Sequence, residues 1–220
     1  TPSIVNTSSI LQLESAGHDA LADGHAELAM NYFKTALTKP GLDSATKDEL
    51  NLNLTMAYLA LGRLADAAAA LNAVQQTYLP AFILRKALLA VRNQDWANAG
   101  ALVAQLDATQ LSQDDRPWYY ALEAMLAEQG NDLATATKDW TQARDAATPD
   151  YQKSQFYISL WRAQILLGKQ VTPAEAQELL SNAQQANTDL NLASQYILPY
   201  IVIEDKLGER AKALATAQEW

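Results

Sequence analysis

The residues able to do chemistry are few and widely spaced. The chain of 220 residues holds two histidines, His18 and His25, and no cysteine. A zinc site needs several such ligands at short spacings. These two stand on either side of an expected helix break at Gly24, so they read as polar surface or groove residues. Asp114–Asp115 precede Arg116–Pro117. Paired carboxylates can share general acid–base work. Acids in a loop before a helix more often cap it, and these read as caps. There is no Gly-rich phosphate loop, GxSxG elbow or HExxH helix. No catalytic residue, metal ligand or cofactor site is expected. The lack of cysteine also excludes disulfides and thiolate nucleophiles.

Five Trp and nine Tyr raise a ligand reading, such as carbohydrate stacking. Trp96, Trp140 and Trp161 fall on or beside packing positions and read as core. Trp118, Tyr119 and Tyr120 are consecutive, and one helix face cannot bury all three. At least one should stay accessible as a contact.

Composition narrows the classes further. The formal net charge is -9 and the pI about 4.6. That balance repels phosphate backbones, so nucleic acid is not an expected partner. No apolar run approaches the ~18 residues that span a bilayer, so no membrane insertion is expected. The missing cysteine fits a periplasmic or exported bacterial protein, and many cytosolic chains share it. The chain starts without Met and stops at Trp220 within a helical pattern. It is expected to be a fragment of a longer protein, cut between repeats. Ala and Leu dominate the 49% apolar fraction, which favours helices. Little alternates at period 2, so no sheet is expected.

The positioning elements follow from one recurring triplet. Ala29, Phe33 and Ala36 share a helix face between Gly24 and Pro40. The same small, large, apolar spacing returns at Ala67, Leu71, Val74; Ala99, Val103, Leu106; Ala136, Trp140, Ala143; Ala176, Leu180, Ala183; and Ala213, Ala217, Trp220. The lead alanines are separated by 38, 32, 37, 40 and 37 residues. A period in this range marks helical repeats, whose single unit cannot bury its own face. Turns are expected at Gly24, Gly62, Asn93–Gln94–Asp95 (where Asn tolerates the left-handed conformation), Gly130–Asn131–Asp132, Gly168 and Gly208. Thr7–Ser8–Ser9 read as a helix start whose hydroxyls can cap, either Asp43 or Ser44 as a cap, and Thr172 with Glu175 as a capping box. Pro199 should kink the helix it interrupts.

Leu54, Thr55, Tyr58, Gly62, Ala67 and Leu71 resemble the tetratricopeptide repeat pattern. So do Ala16, Gly17, Ala20, Gly24, Ala29, Phe33 and Ala36, with Pro40 one residue short of the usual closing proline. The resemblance spans roughly residues 7 to 220 and is divergent in the fifth and sixth units. It implies an all-α, right-handed superhelical solenoid of about six antiparallel helix pairs. The expected units are 7–41, 44–79, 80–110, 117–149, 151–188 and 191–220, in one repeat domain over 1–220.

The resemblance also implies a concave wall made by the first helix of each pair. Its groove offsets fall on Leu52, Met56, Leu59, Leu84, Leu88, Val91, Ala121 and Met125, with Arg85 and Arg92 on the flank. At the first unit they fall on Leu11, Glu14, His18 and Leu21. Members that clamp a peptide's terminal carboxylate need Lys and Asn there, and Glu14 and His18 stand instead. An apolar, Met-containing groove suits a partner helix or extended apolar segment. A tight superhelix that fills its own groove is the alternative. The implied function is a protein–protein interaction module. Two others stay open: a helical accessory domain of a bacterial envelope protein, and a self-association spacer that forms homo-oligomers.

Overall fold

The computed structural model describes residues 9–185 and 197–219. Among the described residues there are twelve α-helices, one short 3-10 turn and no strand. The first six helices are α1 (Ile10–Ala22), α2 (Ala26–Leu37), α3 (Ser44–Ala60), α4 (Leu64–Asn72), α5 (Pro80–Arg92) and α6 (Trp96–Val103). The rest are α7 (Arg116–Gln129), α8 (Leu133–Ala146), α9 (Asp150–Leu166), α10 (Pro173–Gln185), α11 (Ile197–Lys206) and α12 (Arg210–Glu219). No helix among the described residues is long and apolar enough to cross a membrane.

Caps start these helices where the sequence places them. Ser9 accepts from the Gln12 backbone N–H, and the Gln12 side chain accepts from that of Ser9. Of the two candidates at α3, Asp43 is the cap and accepts from Thr46 at 2.7 Å. Asp95 and Asp132 do the same for Asn98 and Thr135. The Thr172 hydroxyl accepts from the Glu175 N–H. Each such cap contributes about 1 kcal/mol.

The turns inside the pairs share one hydrogen-bond pattern. Gly24, Gly62, Gln94, Asn131, Gly168 and Gly208 all take positive φ. Each residue that follows donates its N–H five positions back: His25 to Ala20, Arg63 to Tyr58, Asp95 to Ala90, Asp132 to Ala127, Lys169 to Gln164, Glu209 to Glu204. This closes a helix end by satisfying carbonyls that would otherwise lack donors. In the third turn Gln94 takes the left-handed place, not Asn93. Asn93 caps the C-terminus of α5, with φ -87 and its N–H bonded to the Leu89 carbonyl.

A buried alanine follows each of these turns. Ala29, Ala67, Ala99, Ala136 and Ala176 are 0% exposed, and Ala213 is also buried. The alanine comes five residues after the left-handed residue, except at Ala176, where the loop after Gly168 is longer. The rest of the triplet is less uniform. Phe33, Ala36, Leu71, Val74, Val103, Trp140 and Ala143 are buried. Leu106 and Leu180 are half-buried, and Ala217 is exposed. Trp220 and the side chain of Ala183 lie outside the described residues. So does the expected start of the sixth unit near Asn191. Pro199 lies in α11 and is buried; the residues before Ile197, on which the expected kink depends, lie outside the described ones.

The chain divides into two compact units, Thr1–Asp115 and Arg116–Trp220. In the first, α1 packs on α2, α2 on α3, α3 on α4, α4 on α5 and α5 on α6, while α3 also touches α1 and α5. Phe33 is fully buried between α1 and α2, against Gly17. A second cluster gathers Leu52, Leu71 and Val74 with Leu79 and Phe82. In the second unit α7 through α12 again pack in sequence, and α9 also touches α11. Trp140, Phe156, Leu160 and the small residues Ala121, Ala124, Ala136 and Ala143 make one core. Ile158, Trp161, Val171, Ala176, Leu179 and Ile203 make the next.

Candidate functional site

The positions expected to line an apolar wall are mostly interior. Leu52, Leu59, Leu84, Leu88, Val91 and Ala121 are all buried. Met56 and Met125 are half-buried, and only Arg92 is exposed. Met125 packs beside the Trp140 core. Arg92 donates to the Leu59 carbonyl at 2.9 Å. Burying one leucine side chain contributes roughly 1.5–3 kcal/mol. These leucines therefore do structural work that an open wall would forgo. In the first unit, Leu11 is exposed, Glu14 and Leu21 are half-buried, and His18 is exposed.

Arg85 was expected on the groove flank and lies elsewhere. It is 5% exposed. Its guanidinium donates to both carboxylate oxygens of Asp115 at 2.8 and 3.1 Å. It also donates to the carbonyls of Leu52 and Ala81 at 2.8 and 3.0 Å. The reading of Asp114–Asp115 as simple caps misses this pair. A buried bidentate ion pair survives only when nearly every donor and acceptor is used. Both carboxylate oxygens of Asp115 are thus engaged by Arg85.

The other candidates also resolve into structure. His18 Nε2 lies 3.2 Å from Asn53 Nδ2, with its ring edge-on to Phe33. His25 precedes α2 and makes no cap bond. Among the described residues no His, Cys, Asp and Glu group could hold a metal. Trp140 and Trp161 are core, as expected, and Trp96 is half-buried. Trp118, Tyr119 and Tyr120 are all half-buried, with none fully open. Trp118 stacks edge-on against Phe156, and the Tyr119 hydroxyl donates to Glu123.

A polar cleft of about 390 Å³ lies across α8, α9 and α10. The C-terminal end of α8 supplies Arg144 and Asp145, paired at 3.1 Å. The first two turns of α9 supply Asp150, Lys153 and Tyr157, and α10 supplies Glu178 and Asn182. The three or four residue spacing along α9 puts its members on one face. Arg144 lies over the Tyr157 ring at 5.7 Å. Burial first pushes the Tyr157 phenol up; the Trp161 indole pulls it back, the nearby Glu178 carboxylate raises it again and Arg144 lowers it. The Asn182 amide donates to the Glu178 carbonyl. Lys153 and Asp150 are exposed.

The cleft therefore offers both charges, a tyrosine ring and amide groups within one concavity. It has the means to hold a polar extended segment, and Ser154 of α9 also lines it. The sequence reading missed it because a polar stripe on one helix looks like a solvated face. Only the docking of α10 makes that stripe concave. Comparison with protein-family models and with curated proteins returns no match.

Proposed function

We propose that the chain is a divergent helical-repeat array of the tetratricopeptide kind, a right-handed superhelix of about six pairs. We propose that it acts as a protein-binding module. The repeat reading is supported by the six identical turns, five of them placed five residues before a buried alanine. The binding reading rests on the cleft of α8, α9 and α10. Its occupant is a short extended peptide carrying both an acidic and a basic side chain. The acid meets Lys153, the base meets Asp150 and Glu178, and the peptide backbone meets the Asn182 amide. A rigid three-helix seat loses little freedom on binding, which favours affinity. The partner side contributes charge pairing at a wet rim, which governs encounter and salt sensitivity.

The test is selection of a displayed random peptide library on the purified chain. Enriched peptides should hold both signs of charge and weaken with salt. They should bind the Lys153→Glu variant about tenfold more weakly, or ~1.4 kcal/mol. Lys153 is exposed, so the variant keeps the fold. Selected peptides that bind wild type and variant equally, or no enrichment at all, would refute the cleft as the seat.

A further inference from the structure

We propose that Arg144 is a second reader of carboxylates in the cleft of α8, α9 and α10, that Asp145 holds its binding edge in the free chain, and that an acidic side chain of the bound peptide takes that edge over. This rests on the peptide-binding reading above and adds to it the residue that sets the preference for acids. Arg144 lines the cleft from the C-terminal end of α8. Its guanidinium carbon lies 5.7 Å from the centre of the Tyr157 ring, within the ~6 Å over which a cation is held to an aromatic face. Tyr157 packs against the cores on both sides of α9, so this floor is fixed. It stands one helical turn beyond Lys153, and side chains so spaced are neighbours on a helix surface. Arg144 and Lys153 thus border neighbouring positions of one cleft.

The edge of Arg144 that would receive a carboxylate is spent on a poor partner. Its Nε and Nη2 both donate to Asp145 Oδ1, at 3.1 Å each. A guanidinium edge matches two carboxylate oxygens in parallel, at about 2.7–2.9 Å. Asp145 offers it one. Adjacent residues on a helix do not face each other, which keeps the Asp145 carboxylate from squaring to that edge. The Arg85–Asp115 pair is the contrast within the same chain: there two oxygens take two nitrogens, and the pair is buried. The Asp145 side chain is 64% exposed. Water replaces Arg144 when that bond breaks, so the pair is weak.

On binding, the peptide's acid exchanges for Asp145. No charge is left buried, because Asp145 turns to water and Arg144 keeps a counter-charge above Tyr157. Asp145 is therefore an internal competitor. It lowers the affinity for every acidic peptide by the strength of its own pair with Arg144. Only an acid that fills the guanidinium edge better than Asp145 does gains from Arg144.

The test takes a peptide enriched on the wild-type chain from the displayed random library. Its Kd is measured by fluorescence anisotropy on wild type, Asp145→Asn, Arg144→Gln and the double variant. Asp145→Asn should bind about two- to fivefold tighter, the strength of an exposed ion pair. That gain should vanish in the Arg144→Gln background, because Asp145 acts through Arg144. Arg144→Met keeps the aliphatic stem over Tyr157 and serves the same cycle if Arg144→Gln folds poorly. A gain that persists without Arg144 would be the general effect of one fewer negative charge and would overturn the proposal. So would equal binding by wild type and Asp145→Asn. Both of these leave a loss with Lys153→Glu standing, so they remove this inference and not the binding reading. No enrichment on wild type, or no loss with Lys153→Glu, removes the binding reading and this inference with it.

Discussion

Gly17→Ala is expected to destabilise the first unit, although alanine is the better helix former. A Cβ at position 17 would lie 2.4 Å from Cε1, 2.6 Å from Cζ and 2.8 Å from Cδ1 of Phe33. Carbon atoms rest at about 3.5–4.0 Å, so the ring must retreat by roughly 1 Å. Phe33 is 0% exposed, so any retreat displaces packed neighbours. Overpacking of this kind costs about 1–3 kcal/mol. The propensity gain of alanine over glycine is about 1 kcal/mol. The net loss is then up to about 2 kcal/mol, a large share of a small unit's stability. Gly100→Ala is the matched control: it lies within α6 and has nothing within 4 Å of a built Cβ. There only the propensity term acts, and stability should rise by about 0.5–1 kcal/mol. Urea denaturation reads both, as midpoints at constant slope. Gly17→Ala with Phe33→Leu should recover part of the loss and show coupling between the two sites. A Gly17→Ala variant that gains stability as Gly100→Ala does would refute the close approach of α1 and α2.

Two further outcomes test the interior. Asp115→Asn leaves the Arg85 guanidinium buried without its counter-charge and should cost about 3–5 kcal/mol. Replacing both, as Arg85→Met with Asp115→Leu, should restore most of that, measured by denaturant midpoint. Leu88→Glu places a charge in a position 6% exposed and should abolish cooperative unfolding at neutral pH. Met56→Glu, at a half-buried position, should keep a cooperative transition with a smaller loss. If Leu88→Glu melts like wild type, position 88 faces an open wall and its interior placement is wrong.

The helix pairs were legible because two local signals agree at fixed spacing. A left-handed residue closes one helix, and a methyl side chain follows where the next helix must come close. Both are written into single positions, such as Gly62 and Ala67. The exception was instructive: at Asn93–Gln94 the better left-handed former loses, because the hydrogen bond from Asp95 to Ala90 sets the position. The wall residues were less legible. A repeat offset tells which way a side chain points, but not how much of it neighbouring helices cover. Leu84 and Leu88 are covered by their neighbours. Arg85 read as surface because its counter-charge lies thirty residues on, in a connector no periodicity reaches.

The location of the cleft follows from the demands on α9. Phe156, Leu160 and Ala163 face the core formed with α7 and α8, while Ile158 and Trp161 face the core formed with α10 and α11. Tyr157 packs against both. A helix buried on two sides keeps only a narrow stripe for water, and on α9 that stripe is Asp150, Lys153 and the Tyr157 hydroxyl edge. Apolar residues cannot occupy it without exposing themselves, so the stripe is polar. The small residues of α8 let α9 approach closely, and α10 then rises beside the stripe as a second bank. The packing that buries the apolar residues of α9 on two sides is therefore the same packing that leaves a charged stripe here. A partner that reads this chain through that stripe must do so by charge and hydrogen bonding; the exposed apolar residue of α9, Leu166, lies at the helix's other end.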